Sequence, residues 1–229
     1  MKNLAVDTSS SVCSVAIFED DKLIDINNLD DGKTHSENLM PLMDELLKRN
    51  NVDISEINLI SVCVGPGSFT GIRIGVSAIK PIAEVLNAKV ASVTSLETLA
   101  RNVSFVDGEG QDHIIVPLID ARNDQVYCGV FDSNYNKLEE YMADDINEII
   151  NSISKYSNIT FVGDGAILHQ NLLQERINDA KFIDNNKQSA EMTGLCGYDK
   201  YQKNDLVDAD SVVPLYLRKS QAERQKNNG

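Results

Sequence analysis

The chain has 229 residues, 42% hydrophobic and 24% charged, the composition of a globular protein with length for one large domain or two small ones. No stretch approaches the roughly 18 consecutive apolar residues of a membrane span, and Met1-Lys2-Asn3-Leu4-Ala5-Val6-Asp7 turns polar too early for a signal peptide. The formal net charge of −14, from 21 basic against 35 acidic residues, argues against a chain that grips a nucleic-acid backbone by itself; a partner is expected to hold any nucleic acid.

In chain order, residues 4–6, 12–18 and 23–29 read as three short strands joined by tight turns. A helix is predicted over 36–49, a strand over 57–64, a helix over 72–86, a strand over 90–93 and a helix over 95–102. The polar, glycine-rich stretch Val106-Asp107-Gly108-Glu109-Gly110-Gln111-Asp112 makes a boundary. The order then repeats: strands over 114–119, 125–131 and 137–141, a helix over 144–154, a strand over 159–162, a helix over 163–177, a short strand over 181–183 and a helix over 189–201. Asp7 and Asp120 both end a first strand, and Ile17-Phe18-Glu19 and Val130-Phe131-Asp132 share their spacing of 113 residues. This duplication predicts two similar α/β domains, 1–104 and 105–229, with ligands expected beyond the strand ends. The last segment is a candidate to pack back on the first domain, and the polar residues after 220 are expected to fray.

The stretch Val64-Gly65-Pro66-Gly67-Ser68-Phe69-Thr70-Gly71-Ile72-Arg73-Ile74-Gly75 links a buried strand to a helix. Gly65 and Gly67 allow a turn closed to residues with a Cβ, and Ser68 or Thr70 suits the helix cap. The bare helix start favours an anion. Its spacing matches neither a Walker A loop nor the dinucleotide fingerprint, so a turn that merely packs strand on helix explains it equally well. Asp7-Thr8-Ser9-Ser10, an acid at a strand end followed by hydroxyls, suits a magnesium-phosphate site or, equally, a plain Asx-type turn. Asp7, Thr8, Ser9, Gly65, Gly67 and Ser68 are therefore the candidate phosphate residues.

Two helices carry more apolar surface than one buried face needs. Leu39, Leu42, Met43, Leu46 and Leu47 form the first helix's inward stripe, with Met40 off it, and Pro41 is expected to kink or tighten its first turns. Gly71, Gly75 and Ala78 make a small-residue face on the second, open to a close helix from this chain or from a second subunit. Cys13, Cys63, Cys128 and Cys196 are far apart and read as buried thiols in a reducing compartment. His35, His113 and His169 have no metal-ligand spacing. His35 suits a helix start, and no Gly-x-Ser-x-Gly elbow is present.

Several segments fall together in order: Leu4-Ala-Val-Asp-Thr-Ser-Ser10, His35-Ser-Glu-Asn-Leu-Met-Pro41, the Gly65 to Gly75 stretch, Asp120-Ala-Arg122 with Tyr127, Gly163-Asp-Gly-Ala166, and Pro214-Leu-Tyr-Leu-Arg-Lys-Ser-Gln-Ala-Glu223. With them the chain resembles, over nearly its whole length, the TsaB (YeaZ) family of bacterial tRNA threonylcarbamoyladenosine biosynthesis proteins. The resemblance implies an α/β actin-like ATPase (ASKHA) fold of two ribonuclease H-like domains. It also implies a part in placing threonylcarbamoyl, from its adenylate, on N6 of the adenosine next to the anticodon. In that family the paralogue TsaD performs the transfer, and the ATPase TsaE completes the system. The implied role is a non-catalytic, cytoplasmic subunit that meets TsaD, or a second copy of itself, through Leu39, Met40, Met43, Leu47, Gly71, Ile72, Gly75, Ala78 and Ile79. It reaches tRNA only through the complex, with no metal of its own and with Mg-ATP or ADP, where present, at the complex interface.

Departures from the paralogue fit that division. Its two metal-binding histidines would fall near Ser95 and Leu99, neither of which can replace an imidazole. Its second phosphate loop would align with Asp120-Ala121-Arg122-Asn123, where the glycine is lost. Pro81 stands where relatives usually carry glycine, which questions the regularity of the second helix. The competing expectations are a stand-alone Mg-ATP-dependent phosphotransferase with Asp7 on the magnesium, and a metallopeptidase.

Overall fold

A computed structural model describes residues 1–32, 34–104 and 112–218. The first half builds an antiparallel meander from β1 (Lys2–Asp7), β2 (Cys13–Glu19) and β3 (Lys22–Leu29), then α1 (His35–Arg49), β4 (Ile57–Cys63), α2 (Phe69–Leu86), β5 (Lys89–Val93) and α3 (Ser95–Arg101). Both β4 and β5 run parallel, giving the sheet order β3-β2-β1-β4-β5. The second half supplies β6 (Ile114–Asp120), β7 (Gln125–Cys128), β8 (Phe131–Asp132), β9 (Met142–Asp145), α4 (Ile146–Ile153), β10 (Ile159–Val162), α5 (Asp164–Leu168), α6 (Gln170–Arg176), β11 (Lys181–Phe182) and α7 (Ala190–Gln202). Its order, β11-β10-β6-β7-β9 with β8 on β6, reproduces the first strand for strand in the opposite direction of listing, with β6 in the place of β1.

The contacts divide the chain into two units: Met1–Thr98 with Gln188–Leu215, and Leu99–Lys187 with the chain from Tyr216. The division lies inside α3, not at residue 104, and the expected second domain gives up Gln188–Leu215 to the first. The reason is α7, which packs on β1, β2, β4 and β5. The expected boundary stretch 106–112 falls almost wholly outside the described residues, as does the tail after 220.

In the first unit both faces of the central strands are buried. On one face Leu4, Val6, Val15, Ile17, Ile60 and Val62 meet Leu39, Met43 and Leu46 of α1 and Ile72, Val76 and Ile79 of α2. Each such side chain contributes roughly 1.5–3 kcal/mol on burial. The other face has small and polar residues, Asn3, Ala5, Asp7, Ser14, Ala16 and Ser61, buried alongside Phe18.

Several element boundaries differ from expectation. The strand expected over 125–131 breaks into β7 and β8. The strand expected over 137–141 lies instead at Met142–Asp145, paired from Cys128↔Met142 to Gln125↔Asp145. Asp132 causes the shift: its carboxylate accepts from the backbone of Asn134 and Asn136, folding that stretch into a turn. The helix expected over 163–177 divides at His169. Both α1 and α2 continue through Pro41 and Pro81, so neither proline ends its helix. The carbonyls four residues back, to which a proline cannot donate, belong to Glu37 and Ser77, both exposed residues.

Candidate functional site

The β1–β2 turn and the glycine loop meet in the first unit, and hydrogen bonds close them on each other. Gly65 has φ +103°, and its carbonyl accepts from Ser95 N–H at 2.9 Å. Ser68 N–H donates to the Ser9 carbonyl at 2.8 Å. The Ser68 hydroxyl caps α2 by accepting from Gly71 N–H at 3.2 Å. The Thr8 hydroxyl donates to the Gly71 carbonyl at 2.8 Å. A Cβ on Gly67 would overlap the Ser9 carbonyl, and one on Gly71 the Thr8 carbonyl. On Gly75 it would overlap the Thr8 hydroxyl. These glycines therefore bring α2 onto the end of β1.

Asp7 lies beneath this junction with 1% of its surface exposed. Its Oδ1 accepts from Ser9 N–H at 2.9 Å and from the Ser9 hydroxyl at 2.7 Å. Oδ2 lies 3.1 Å from Thr193 Oγ1 on α7. Burial, with no cation beside it, pushes the Asp7 carboxyl above the usual carboxylate range. Cys63 Sγ lies 3.2 Å from Ser95 Oγ, and burial likewise raises its pKa. At the rim, His35 Nε2 donates to the Ser10 carbonyl at 2.8 Å in the tautomer that this acceptor requires.

The six candidate phosphate residues thus come together, but their chemistry does not suit a magnesium-bound phosphate. Asp7 is buried with both oxygens engaged, and the Thr8 and Ser9 hydroxyls and Ser68 N–H already have partners in the chain. The donors a phosphate would need are bonded to the fold itself.

The expected docking residues divide in two. Leu39, Met43, Leu47, Ile72 and Ile79 are buried in the chain's own core, Met43 with 2% exposed. Gly71 and Gly75 face Thr8, so the small face expected to receive a second helix receives the β1 turn instead. Ala78 is half-buried, and Met40 is 50% exposed. The exposed residues of α1 and α2 also include Pro41, Phe69, Pro81 and Val85. The Arg73 guanidinium lies 3.7 Å from the Phe69 ring centroid.

The second unit repeats the strand-turn-helix junction. Gly163 has φ +104°, close to Gly65, and a Cβ there would overlap the Leu118 carbonyl. Asp164 Oδ1 accepts from Asp120 N–H at 3.0 Å and Gly165 N–H at 2.8 Å. At the β6–β7 turn three successive residues, Arg122, Asn123 and Asp124, have φ of 66°, 56° and 57°.

Thr193, Gly194 and Gly197 on α7 escaped the sequence reasoning. Thr193-Gly194-x-x-Gly197 on a weakly amphipathic helix was the signal, because small residues at that spacing mark a close approach. A Cβ on Gly194 would overlap the Phe18 ring, and one on Gly197 the Ser61 hydroxyl.

The family model described as TsaD: tRNA N6-adenosine threonylcarbamoyltransferase matches residues 30–226. The Bacillus subtilis (strain 168) tRNA threonylcarbamoyladenosine biosynthesis protein TsaB is 32% identical over 97% of this chain and 96% of its own. This chain belongs to the TsaB family. YeaZ from Pseudomonas aeruginosa shares its fold with a TM-score of 0.77 and 25% identity, covering 94% of this chain and 99% of that one. The ROK hexokinase from Thermus thermophilus, 10% identical with a TM-score of 0.53, covers 89% of this chain and 100% of its own. The TsaB-family chain accordingly has the actin-like ATPase fold, with two ribonuclease H-like sheets.

Proposed function

We propose that this chain is a non-catalytic, activating subunit in tRNA threonylcarbamoyladenosine formation, acting in the cytoplasm with TsaD and TsaE. Its TsaB-named relatives support the role in this modification. The observation that carries the division of labour is the closed junction of Asp7–Ser9 with Gly67–Gly75. Its donors are bonded within the fold, which supports a scaffold over a phosphate-transfer centre. A nucleotide, where the assembly carries one, lies at the interface with TsaD, and tRNA is met only through the complex.

The docking surface is the outer face of α1 and α2, centred on Met40 and continued by Pro41, Phe69, Ala78, Pro81 and Val85. Isolated chains pair through the same face. Met40 is the residue to change, because a charge at Met43 would enter the core and unfold the chain. Met40→Glu leaves folding intact and places an unpaired charge in the interface, costing about 3–5 kcal/mol, or more than a hundredfold in affinity. The test mixes the chain with TsaD, TsaE, threonylcarbamoyl-adenylate and tRNA. Modification is expected to require this chain and to fall with Met40→Glu, in step with lost co-elution with TsaD. Equal modification without the chain overturns the subunit role, and normal TsaD binding by folded Met40→Glu overturns the surface. A stand-alone phosphotransferase is tested by calorimetry with Mg-ATP, where stoichiometric binding by the isolated chain would reinstate it.

A further inference from the structure

The carboxyl group of Asp7 sits where a hydrogen is missing from the obvious bonding scheme. Thr193 Oγ1 lies 3.1 Å from Asp7 Oδ2 and 3.0 Å from the carbonyl of Ser189, four residues back along α7. A threonine hydroxyl has one hydrogen, while a backbone carbonyl only accepts. The bond back to the preceding turn is the usual one for threonine inside a helix, so the hydrogen goes to Ser189. The approach to Oδ2 then requires a hydrogen from the carboxyl. Oδ1 behaves as the carbonyl oxygen of that acid, taking two donors from Ser9.

The surroundings agree. The groups facing Asp7 are Ser14 and Cys13 on β2, Cys63 on β4 and Thr193 on α7, and its hydrogen-bond partners among the described residues include no Lys, Arg or His. The nearby His35 is engaged with Ser10, and Lys200 on α7 pairs with Glu97 and Asp205. A buried carboxylate without a cation is strongly disfavoured against its neutral form. Burial correspondingly raises its pKa.

We propose that Asp7 is held as the neutral acid and donates its Oδ2 hydrogen to Thr193, latching α7 to the end of β1. The rest of the seat of α7 joins the Phe18 ring to small and polar groups. Asn3 Nδ2 donates to the Gly194 carbonyl at 3.1 Å, Ala190 N–H donates to Ser14 Oγ at 2.8 Å, and Ser61 Oγ donates to Asn3 Oδ1 at 2.8 Å. Losing the proton turns the latch into a buried negative charge facing a hydroxyl oxygen. The seat of α7 is therefore loosened by rising pH. This device does not depend on the proposed partner role.

The test is urea unfolding of the full chain and of Asp7→Asn across pH 4 to 8. The unfolded chain releases the Asp7 proton near pH ~4 while the folded chain keeps it. Proton binding to the folded state alone makes wild-type stability fall as pH rises. Asn cannot titrate, so the variant gains on wild type by up to about tenfold in unfolding constant per pH unit, until the folded acid itself ionises. A difference that is flat with pH, or that grows towards acid, overturns the proposal. The carboxyl carbon-13 resonance of Asp7 in the wild-type chain gives a readout that needs no variant. It is expected to keep its protonated position above pH ~4, where exposed aspartates ionise, and an ionisation midpoint at or below that of an exposed aspartate overturns the proposal. Thr193→Val removes the acceptor and is expected to lower the ionisation midpoint; a raised midpoint would mean that Thr193 had been the donor.

Discussion

Gly71→Ala tests whether the glycine stretch exists to seat α2 on the β1 turn. The added Cβ would overlap the Thr8 carbonyl oxygen and stand 3.0 Å from His35 Cδ2 and 3.1 Å from Ser68 Oγ. In an unconstrained helix the change gains about 1 kcal/mol from propensity. Here a strand-end carbonyl cannot rotate aside, so α2 or the turn must shift at about 1–3 kcal/mol. The Thr8–Gly71 hydrogen bond lost in that shift adds about 1 kcal/mol. The expected net loss is about 2 kcal/mol, or about 4–8 °C in melting temperature for a chain of this size. Urea unfolding followed by far-ultraviolet circular dichroism measures it, with the m-value unchanged. A variant as stable as wild type would refute the close approach, and would restore the view that Gly71 makes room for a second subunit.

Two other substitutions probe the same architecture. Gly75→Ala meets only the Thr8 hydroxyl, a side chain, so it is expected to destabilise wild type but to stabilise a Thr8→Ala background by about 1 kcal/mol; a double-mutant cycle without that sign change contradicts the contact. Asp145 caps α4 by accepting from Asn147, chiefly its backbone N–H, and this holds its carboxyl below the usual range. Its contribution is present above the unfolded pKa and lost as pH falls through the folded one. The stability advantage of wild type over Asp145→Ala is therefore expected to shrink between pH 5 and pH 2, opposite in direction to the Asp7 effect.

Much of the fold was legible because the apolar pattern is strong where the sheets are buried. Strand β4 reads as a nearly continuous apolar run, and Ser68, followed by helical spacing, marks the start of α2. The duplication was visible in Asp7 and Asp120, which end corresponding strands. Polar edge pairing was not legible: β9, Met142–Asp145, contains two aspartates, and nothing in its residues outweighs the apolar look of the stretch before it. The candidate site was legible as a gathering of residues but not as a closed one. Sequence cannot say whether a glycine admits a ligand, a neighbouring helix or the chain's own carbonyl. That choice depends on where Thr8 and Ser9 point. The inward stripe of α1 was read correctly as core, and the same residues could not also serve as a surface.

The position of α7 has a consequence for how the protein is made. Asn3 bonds Gly194, Ser14 bonds Ala190 and Asp7 meets Thr193, so the first strands to leave the ribosome wait for nearly the last helix. Until then the Asn3–Asp7 face of the sheet lacks its helix, with Asn3 Nδ2 and Ser14 Oγ without their bonds to α7, while residues 99–187 of the second unit are synthesised between the two parts of the first. A chain halted at residue 187 would carry the strands of both sheets, but the first would lack the helix that covers one of its faces. Loss of the last forty or so residues would thus be felt first at the amino terminus.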